Sequence, residues 1–256
     1  MRTNRTKAKL RAGEVVVGSF LSIPAPQTVE ILGYLGFDFV IIDAEHGGPD
    51  PSMVENMIRA AETSGVTPIV RVPRIEHNTI GWYLDRGAQG VQVPMVHTRQ
   101  DAELVIRAAK YQPVGLRGLG AARPAEYFLT GPRSAYFEAA NAETLVVCQI
   151  ESPQAIANLP EMLSVDGVDV FFVAPGDLSH SLGLTDQIDH PRVAEAISGA
   201  LRTIVGRGKR AGFVSFQEGE YLAQGVRYFA NLDVNLFVSG AKRWLESVRA
   251  VPQTHA

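Results

Sequence analysis

The sequence predicts a (β/α)8 barrel, and three observations carry that expectation. Short apolar runs recur along the whole chain, amphipathic helix-like segments separate them, and polar residues collect where the runs end. The 256 residues are 46% hydrophobic, enough to bury a full core, and the expectation is one domain over 1–256.

Taken in order, residues 1–13 carry Arg2, Arg5, Lys7, Lys9 and Arg11 and no acid, without the apolar segment of a signal peptide. A short surface helix over 7–11, leading into the first strand, is expected there; an organelle transit peptide is the alternative. Strands are expected at 15–19, 39–43, 68–71, 90–93, 145–150, 169–173, 212–215 and 228–231. Each run is short, rich in Val, Ile or Phe, and bounded by Gly, Pro or Asp. Their continuous apolar character suits strands buried on both faces.

Helical periodicity fills the intervals. Val29, Ile31 and Leu32 mark a helix over 27–34, and Met53, Val54, Met57, Ile58 and Ala61 mark one over 51–64. Ala102, Leu104, Val105 and Ala108 mark 99–109, and Pro153 opens a helix over 153–163. Segments 193–205, 218–224 and 235–249 follow the same logic, so seven helical segments alternate with the eight strands and the pattern reads as eight strand-then-helix units. After the first strand, Val17-Gly18-Ser19-Phe20 is followed by Leu21-Ser22-Ile23-Pro24, which is not the glycine-rich turn of a doubly wound dinucleotide fold. One connection is long: residues 110–144 read as a loop, a length that usually serves function or subunit contact.

Composition narrows the partners. With 24 Lys and Arg against 27 Asp and Glu, the net charge of -3 offers no strong field for nucleic acid or an anionic membrane. A small-molecule substrate is expected. No stretch approaches the ~18 apolar residues of a membrane span. The single cysteine, Cys148, sits inside a strand-like run and reads as a buried small apolar residue in a reducing, cytoplasmic setting.

The strand ends hold the chemistry. In a barrel of this kind ligands bind at the carboxyl ends of the strands. Those ends give Ser19, then Asp43-Ala44-Glu45-His46, Arg71, Gln92, Gln149 with Glu151, Asp177 and Ser215. Glu151 and Asp177 follow adjacent strands and make half a site for a hard divalent cation, with other positions left to water and substrate. Helix capping would also account for either one. Gln149 shares a face with Glu151. His46, three residues after Asp43, is the candidate general base, oriented by that carboxylate. Arg71 at a buried strand end needs an anion, either Asp43 or Glu45 or a substrate carboxylate or enolate. Gly176 and the amides around it suit close approach of a carboxylate.

These residues resemble the HpcH/HpaI class II pyruvate aldolases. The stretches that carry the likeness are Gly36 to Gly47, Arg71-Val72-Pro73, Leu84 to Gly90, Pro94-Met95-Val96, Gly115-Leu116-Arg117-Gly118, Gln149 to Pro153 and Ala174 to Ser179. The resemblance implies a (β/α)8 barrel, hexamers, and a last helix exchanged between neighbouring subunits. It implies Glu151 and Asp177 as ligands of Mg2+, Mn2+ or Co2+, His46 with Asp43 as an acid/base dyad, and Arg71 on the keto or enolate oxygen. Gln149 would line the site, the Gly176 and Asp177 amides would hold the pyruvate carboxylate, and Asp85 would reach a neighbouring subunit's site.

The implied reaction is reversible aldol addition of pyruvate, or hydroxypyruvate, to an aldehyde, giving a 4-hydroxy-2-oxo acid. Metal-dependent oxaloacetate decarboxylation or citryl-type cleavage is the alternative on the same residues. A non-catalytic barrel subunit is a third reading, disfavoured by Asp43, His46, Arg71, Glu151 and Asp177 occurring together. Two segments depart from the family pattern, Asn231-Leu232-Asp233-Val234-Asn235 and Arg74-Ile75-Glu76-His77-Asn78. Both bear on the native substrate more than on the reaction type.

Overall fold

A computed structural model describes residues 1–214 and 218–250. Eight parallel strands close into a barrel in sequence order. They are β1 (Val16–Leu21), β2 (Phe39–Asp43), β3 (Thr67–Arg71), β4 (Gly90–Val93), β5 (Leu145–Ile150), β6 (Val170–Val173), β7 (Ala211–Val214) and β8 (Tyr228–Leu232). Ten of the helices are α1 (Arg5–Arg11), α2 (Pro26–Tyr34), α3 (Pro51–Ser64), α4 (His77–Asp85), α5 (Arg99–Ala109), α6 (Arg133–Glu143), α7 (Pro153–Ala157), α8 (Leu159–Met162), α9 (Pro175–Ser181) and α10 (Pro191–Gly206). Glu218–Ala223 forms α11 and Asp233–Arg249 forms α12. Among the described residues, no helix is long and apolar enough to cross a membrane.

The strand period of two sorts the core into two layers. Val40, Ile42, Val70, Val91, Val146, Cys148 and Phe171 face outward and pack under the helices. Phe39, Ile41, Ile69, Val147, Val170, Phe172 and Tyr228 face inward and fill the barrel. Phe39 stacks on Tyr228 with ring centroids 4.2 Å apart, and Phe172 meets Tyr228 edge-on at 6.0 Å. Gly18 opposite Phe39 makes room for that ring, since a Cβ there would run into it. Cys148 is fully buried, and burial pushes its thiol up to about 12. It behaves as the small apolar residue expected.

Three expectations need correction. The N-terminal helix is not a surface element. Asn4, Thr6, Lys7 and Leu10 are buried, and Leu10 joins the barrel's interior cluster, so α1 closes the amino-terminal mouth of the barrel. The Thr6 hydroxyl donates to the Asp38 carbonyl at 2.9 Å, and Lys7 Nζ donates to Thr144 O at 2.7 Å and to Asp169 Oδ2 at 2.9 Å. Its basic residues hid this because Lys7 is paired rather than solvated. Second, residues 110–144 are no open loop. They contain a 3-10 turn (Arg123–Phe128) and α6, tied back by Asn141, whose side chain exchanges hydrogen bonds with the Tyr111 backbone at 2.7 and 3.0 Å. Third, β1 runs two residues past its expected end, which changes the residue that reaches the site.

A buried lysine beside α1 gives a testable consequence. Lys110 Nζ donates to Asn141 O at 2.8 Å and Thr144 O at 2.7 Å. Burial first, and then the charge of Lys7, lowers its pKa from the ordinary 10.5 to about 7. Between those values the unfolded chain holds one more proton than the folded chain, so stability rises with pH across that window. Thermal unfolding of wild type and Lys110→Met should therefore show a gap that moves in favour of wild type from pH 7 to 9. A gap independent of pH would contradict the depressed pKa.

Candidate active site

The strand register assembles the site before any loop is considered. In-register pairing sets Asp43 beside Arg71 and Arg71 beside Gln92 at the carboxyl ends of β2, β3 and β4. Arg71 Nε donates to Asp43 Oδ1 at 2.8 Å and Nη2 donates to Oδ2 at 2.6 Å, a two-pronged pair with both side chains nearly out of solvent. The Phe20 ring lies 4.9 Å from the Arg71 guanidinium carbon. Burial alone would raise the Asp43 pKa, but Arg71 and the His46 and Glu45 amides overcome it and hold the carboxyl below its usual range. Of the anions open to Arg71 from the sequence, the structure selects Asp43, with Glu45 Oε2 further off at 3.4 Å.

His46 is placed differently from the expected dyad. Asp43 Oδ1 accepts the backbone N–H of His46 at 3.2 Å and that of Glu45 at 3.1 Å. The His46 ring instead stands 3.7 Å from Glu45 Oε2, with its side chain 66% exposed toward the barrel mouth. Asp43 thus fixes the backbone of the turn and the Arg71 fork, while Glu45 is the carboxylate beside the imidazole. Gly47 is required in that turn because a Cβ would collide with the Asp43 carbonyl. Glu45 Oε2 is buried without a hydrogen-bond partner, and burial, the largest influence, raises the Glu45 pKa. The spacing of Glu45 two residues after Asp43 was the available sequence signal for its shared face.

Glu151 is 5% exposed and held on both oxygens. The Met95 amide donates to Oε1 at 2.5 Å, and Gln149 Nε2 donates to Oε2 at 2.7 Å. Met95 adopts a left-handed backbone with φ of 56°, rare for a residue with a side chain. Ser181 Oγ donates to the Glu151 carbonyl at 3.0 Å from α9. Burial raises the Glu151 pKa, the Met95 and Gln149 donors oppose that, and the charge of Asp177 adds to it. Two carboxylates that repel each other and offer only oxygen donors form a set that fits a hard divalent cation, because each Glu151 oxygen keeps a second lone pair. No group of three or more His, Cys, Asp or Glu side chains surrounds one point among the described residues, so protein ligands would fill only part of a coordination shell. Neither residue acts as a helix cap through its side chain, since Ser152 caps α7 and Ala174 precedes α9.

The Asp43–Arg71 fork, His46, Gln149 and Asp177 open onto a cavity of about 280 Å³ at the carboxyl mouth of the barrel, and Glu151 is not among its lining residues. Asp43, His46, Arg71, Gln149, Gly176 and Asp177 line one part of it, and Phe20, Phe172, Val214 and Leu232 line the other. Ser22 replaces Ser19 there: Ser19 falls on the outward face of β1 and bonds the Asn231 carbonyl at 3.2 Å. Ser22 donates to Asp233 Oδ1 at 2.8 Å, joining the first strand's loop to the start of α12. Gln149 has both amide ends engaged within the protein. Asp85 lies elsewhere, at the end of α4, accepting from Arg117 Nη2 at 2.6 Å. Ser215 lies outside the described residues.

A family model described as HpcH/HpaI aldolase/citrate lyase matches residues 17–236. The chain belongs to that family. The 4-hydroxy-2-oxovalerate aldolase of Novosphingobium aromaticivorans is 37% identical over 256 aligned positions, covering 96% of this chain and 97% of that one. A hydroxypyruvate/pyruvate aldolase of Roseobacter denitrificans is 37% identical, covering 93% and 94%. The crystal structure of an HpcH/HpaI aldolase/citrate lyase family protein from Burkholderia cenocepacia superposes with a TM-score of 0.90 at 30% identity, covering 97% of this chain and all of that one. The barrel read from strand spacing is thus the fold of the HpcH/HpaI family, and the resemblance read from the site motifs holds over nearly the whole chain.

Proposed function

We propose that this protein is a divalent-metal-dependent aldolase that joins a pyruvate or hydroxypyruvate enolate to an aldehyde, and cleaves the resulting 4-hydroxy-2-oxo acid in reverse. The observation that carries the reading is a cavity lined by Asp177 and the Arg71 fork, with the buried Glu151 carboxylate near enough to feel the charge of both. Glu151 and Asp177 would hold Mg2+, Mn2+ or Co2+; when bound, such an ion supplies Lewis-acid stabilisation of charge developing on a 2-oxo acid's keto oxygen. Arg71, locked by Asp43, aims a fixed positive charge into the cavity, where it meets the enolate oxygen without having to reorganise. The Gly176 and Asp177 amides at the start of α9 receive the substrate carboxylate, and Gly176 has open space where a Cβ would stand. His46 takes a proton from the methyl carbon and returns one to the aldehyde-derived oxygen, with the Glu45 carboxylate beside the ring.

The apolar wall of Phe20, Phe172, Val214 and Leu232 favours aldol addition over decarboxylation, because only the former must seat a second carbon chain. Leu232, from the segment that departs from the family pattern, belongs to this wall and would meet the aldehyde. Assembly into homo-oligomers is part of this reading. The described side chains of α12 bury only Asp233, while Phe237 and Trp244 are 72% and 66% exposed, a face suited to another copy of the chain. Asp85 would enter a neighbour's site only in such an assembly. A cytoplasmic location accords with the reduced, buried Cys148.

The test is pyruvate release from a panel of 4-hydroxy-2-oxo acids, before and after chelation. Activity should disappear with EDTA and return with Mg2+, Mn2+ or Co2+. Turnover that survives complete metal removal would overturn the assignment.

A further inference from the structure

Gln92 is fully buried on β4 and lines no part of the cavity, yet a single residue separates its amide from Glu151. Gln92 Nε2 donates to Gln149 Oε1 at 2.6 Å, and Gln149 Nε2 donates to Glu151 Oε2 at 2.7 Å. At the far end the Tyr228 hydroxyl lies 3.5 Å from Gln92 Oε1, inside the barrel. The three side chains and Glu151 form one buried file from the barrel interior to the carboxylate.

We propose that Gln92 is a positioning residue that fixes which end of the Gln149 amide faces Glu151. The inference rests on the reading of Glu151 as a metal ligand. An ionised carboxylate only accepts hydrogen bonds, whereas a glutamine amide has one accepting and one donating end. A half-turn of Gln149 about its last torsion would set its carbonyl against Glu151, oxygen against oxygen. In water that orientation would relax freely, but Gln149 is 1% exposed and Gln92 is wholly buried, so no solvent screens the mistake. Gln92 prevents it by occupying the Gln149 carbonyl. With that end taken, only the N–H end is available to Glu151. The Gln92 side chain therefore acts on the cation site through a second residue, without touching it.

The experiment uses Mn2+ alone, measured by electron paramagnetic resonance titration, with thermal unfolding of the metal-free proteins alongside. Gln92→Met preserves volume but removes both amide ends. It should weaken Mn2+ binding by about 10–100-fold, the range for residues that orient ligands, while metal-free unfolding stays close to wild type. Mn2+ affinity within about twofold of wild type in a folded Gln92→Met would overturn the proposal. Glu151→Gln separates the two levels: if it leaves Mn2+ affinity unchanged, the metal reading itself falls and takes this inference with it. A second measurement needs no variant of Gln92 to fold. In wild type, the side-chain amide resonances of glutamines 92 and 149 should both shift when Mg2+ is added and should resist solvent exchange. A Gln92 amide that ignores Mg2+ while that of Gln149 responds would equally overturn the proposal.

Discussion

Replacement of Glu151 by glutamine is expected to lower kcat by at least about 10³-fold, since the cation and the charge it stabilises go together. Asp177→Ala should behave alike. Glutamine keeps the shape of Glu151 but accepts at one end only, so one of the Met95 and Gln149 donors loses its partner, a loss small enough for the fold to survive. Removing a buried carboxylate whose pKa is raised by burial and by Asp177 should, if anything, relieve the folded state. The expected signature is an inactive protein with undiminished unfolding temperature. Steady-state kinetics with saturating Mn2+, paired with calorimetry, reads both quantities. Retention of activity within tenfold would show that Glu151 holds nothing the reaction needs. An inactive protein that had also lost several degrees of stability would return Glu151 to a structural role.

Arg71→Ala should combine the two losses. It leaves Asp43, itself 4% exposed, as a buried charge without its partner, a change that costs about 3–5 kcal/mol when such pairs are broken. It also removes a preorganised charge from the cavity, worth about 10²–10³ in kcat. Arg71→Lys distinguishes the parts. Lysine restores a charge but not the fork that spans both Asp43 oxygens, so it should recover part of the stability and little of the turnover. Urea unfolding and kcat/KM for the two variants test this. Equal recovery of both quantities by lysine would mean that the fork geometry is irrelevant and only charge counts.

Much of the architecture was legible because barrel strands are short and apolar on both faces. The ranges of β2, β4 and β5 match the apolar runs residue for residue. The helix α4 was not, because Gly81 and the β-branched Thr79 and Ile80 blur its period. At α1 the helix was legible but its burial was not, because a lysine-rich segment ordinarily means solvent; Lys7 is accommodated by Asp169 and a carbonyl from another part of the chain. At the site, the residue types at strand ends were readable, since polarity appears where the strands leave the core. Their partners were not. Asp43 and His46 are close in sequence, but cross-strand register gives the Asp43 carboxylate to Arg71 and leaves the ring to Glu45. A two-residue extension of β1 exchanged Ser19 for Ser22, because a period of two makes facing depend on where a strand is taken to lie. The Met95 amide had no sequence signal at all, since any residue supplies an N–H and only the left-handed turn aims it.

The closure of the barrel's amino-terminal mouth by α1 has a bearing on the order of events during synthesis. Asn4 bonds to Glu143 and to the Gln89 carbonyl, Lys7 to Asp169, and the Leu10 carbonyl to Arg210, separations of 139, 85, 162 and 200 residues. Loop closures of that span come late, after nearer contacts have formed. Lys7 cannot find its carboxylate until the segment before β6 has been made, and Arg210 arrives later still. A segment made before every barrel strand is therefore among the last to dock, and the barrel must hold its shape with one end open until it does.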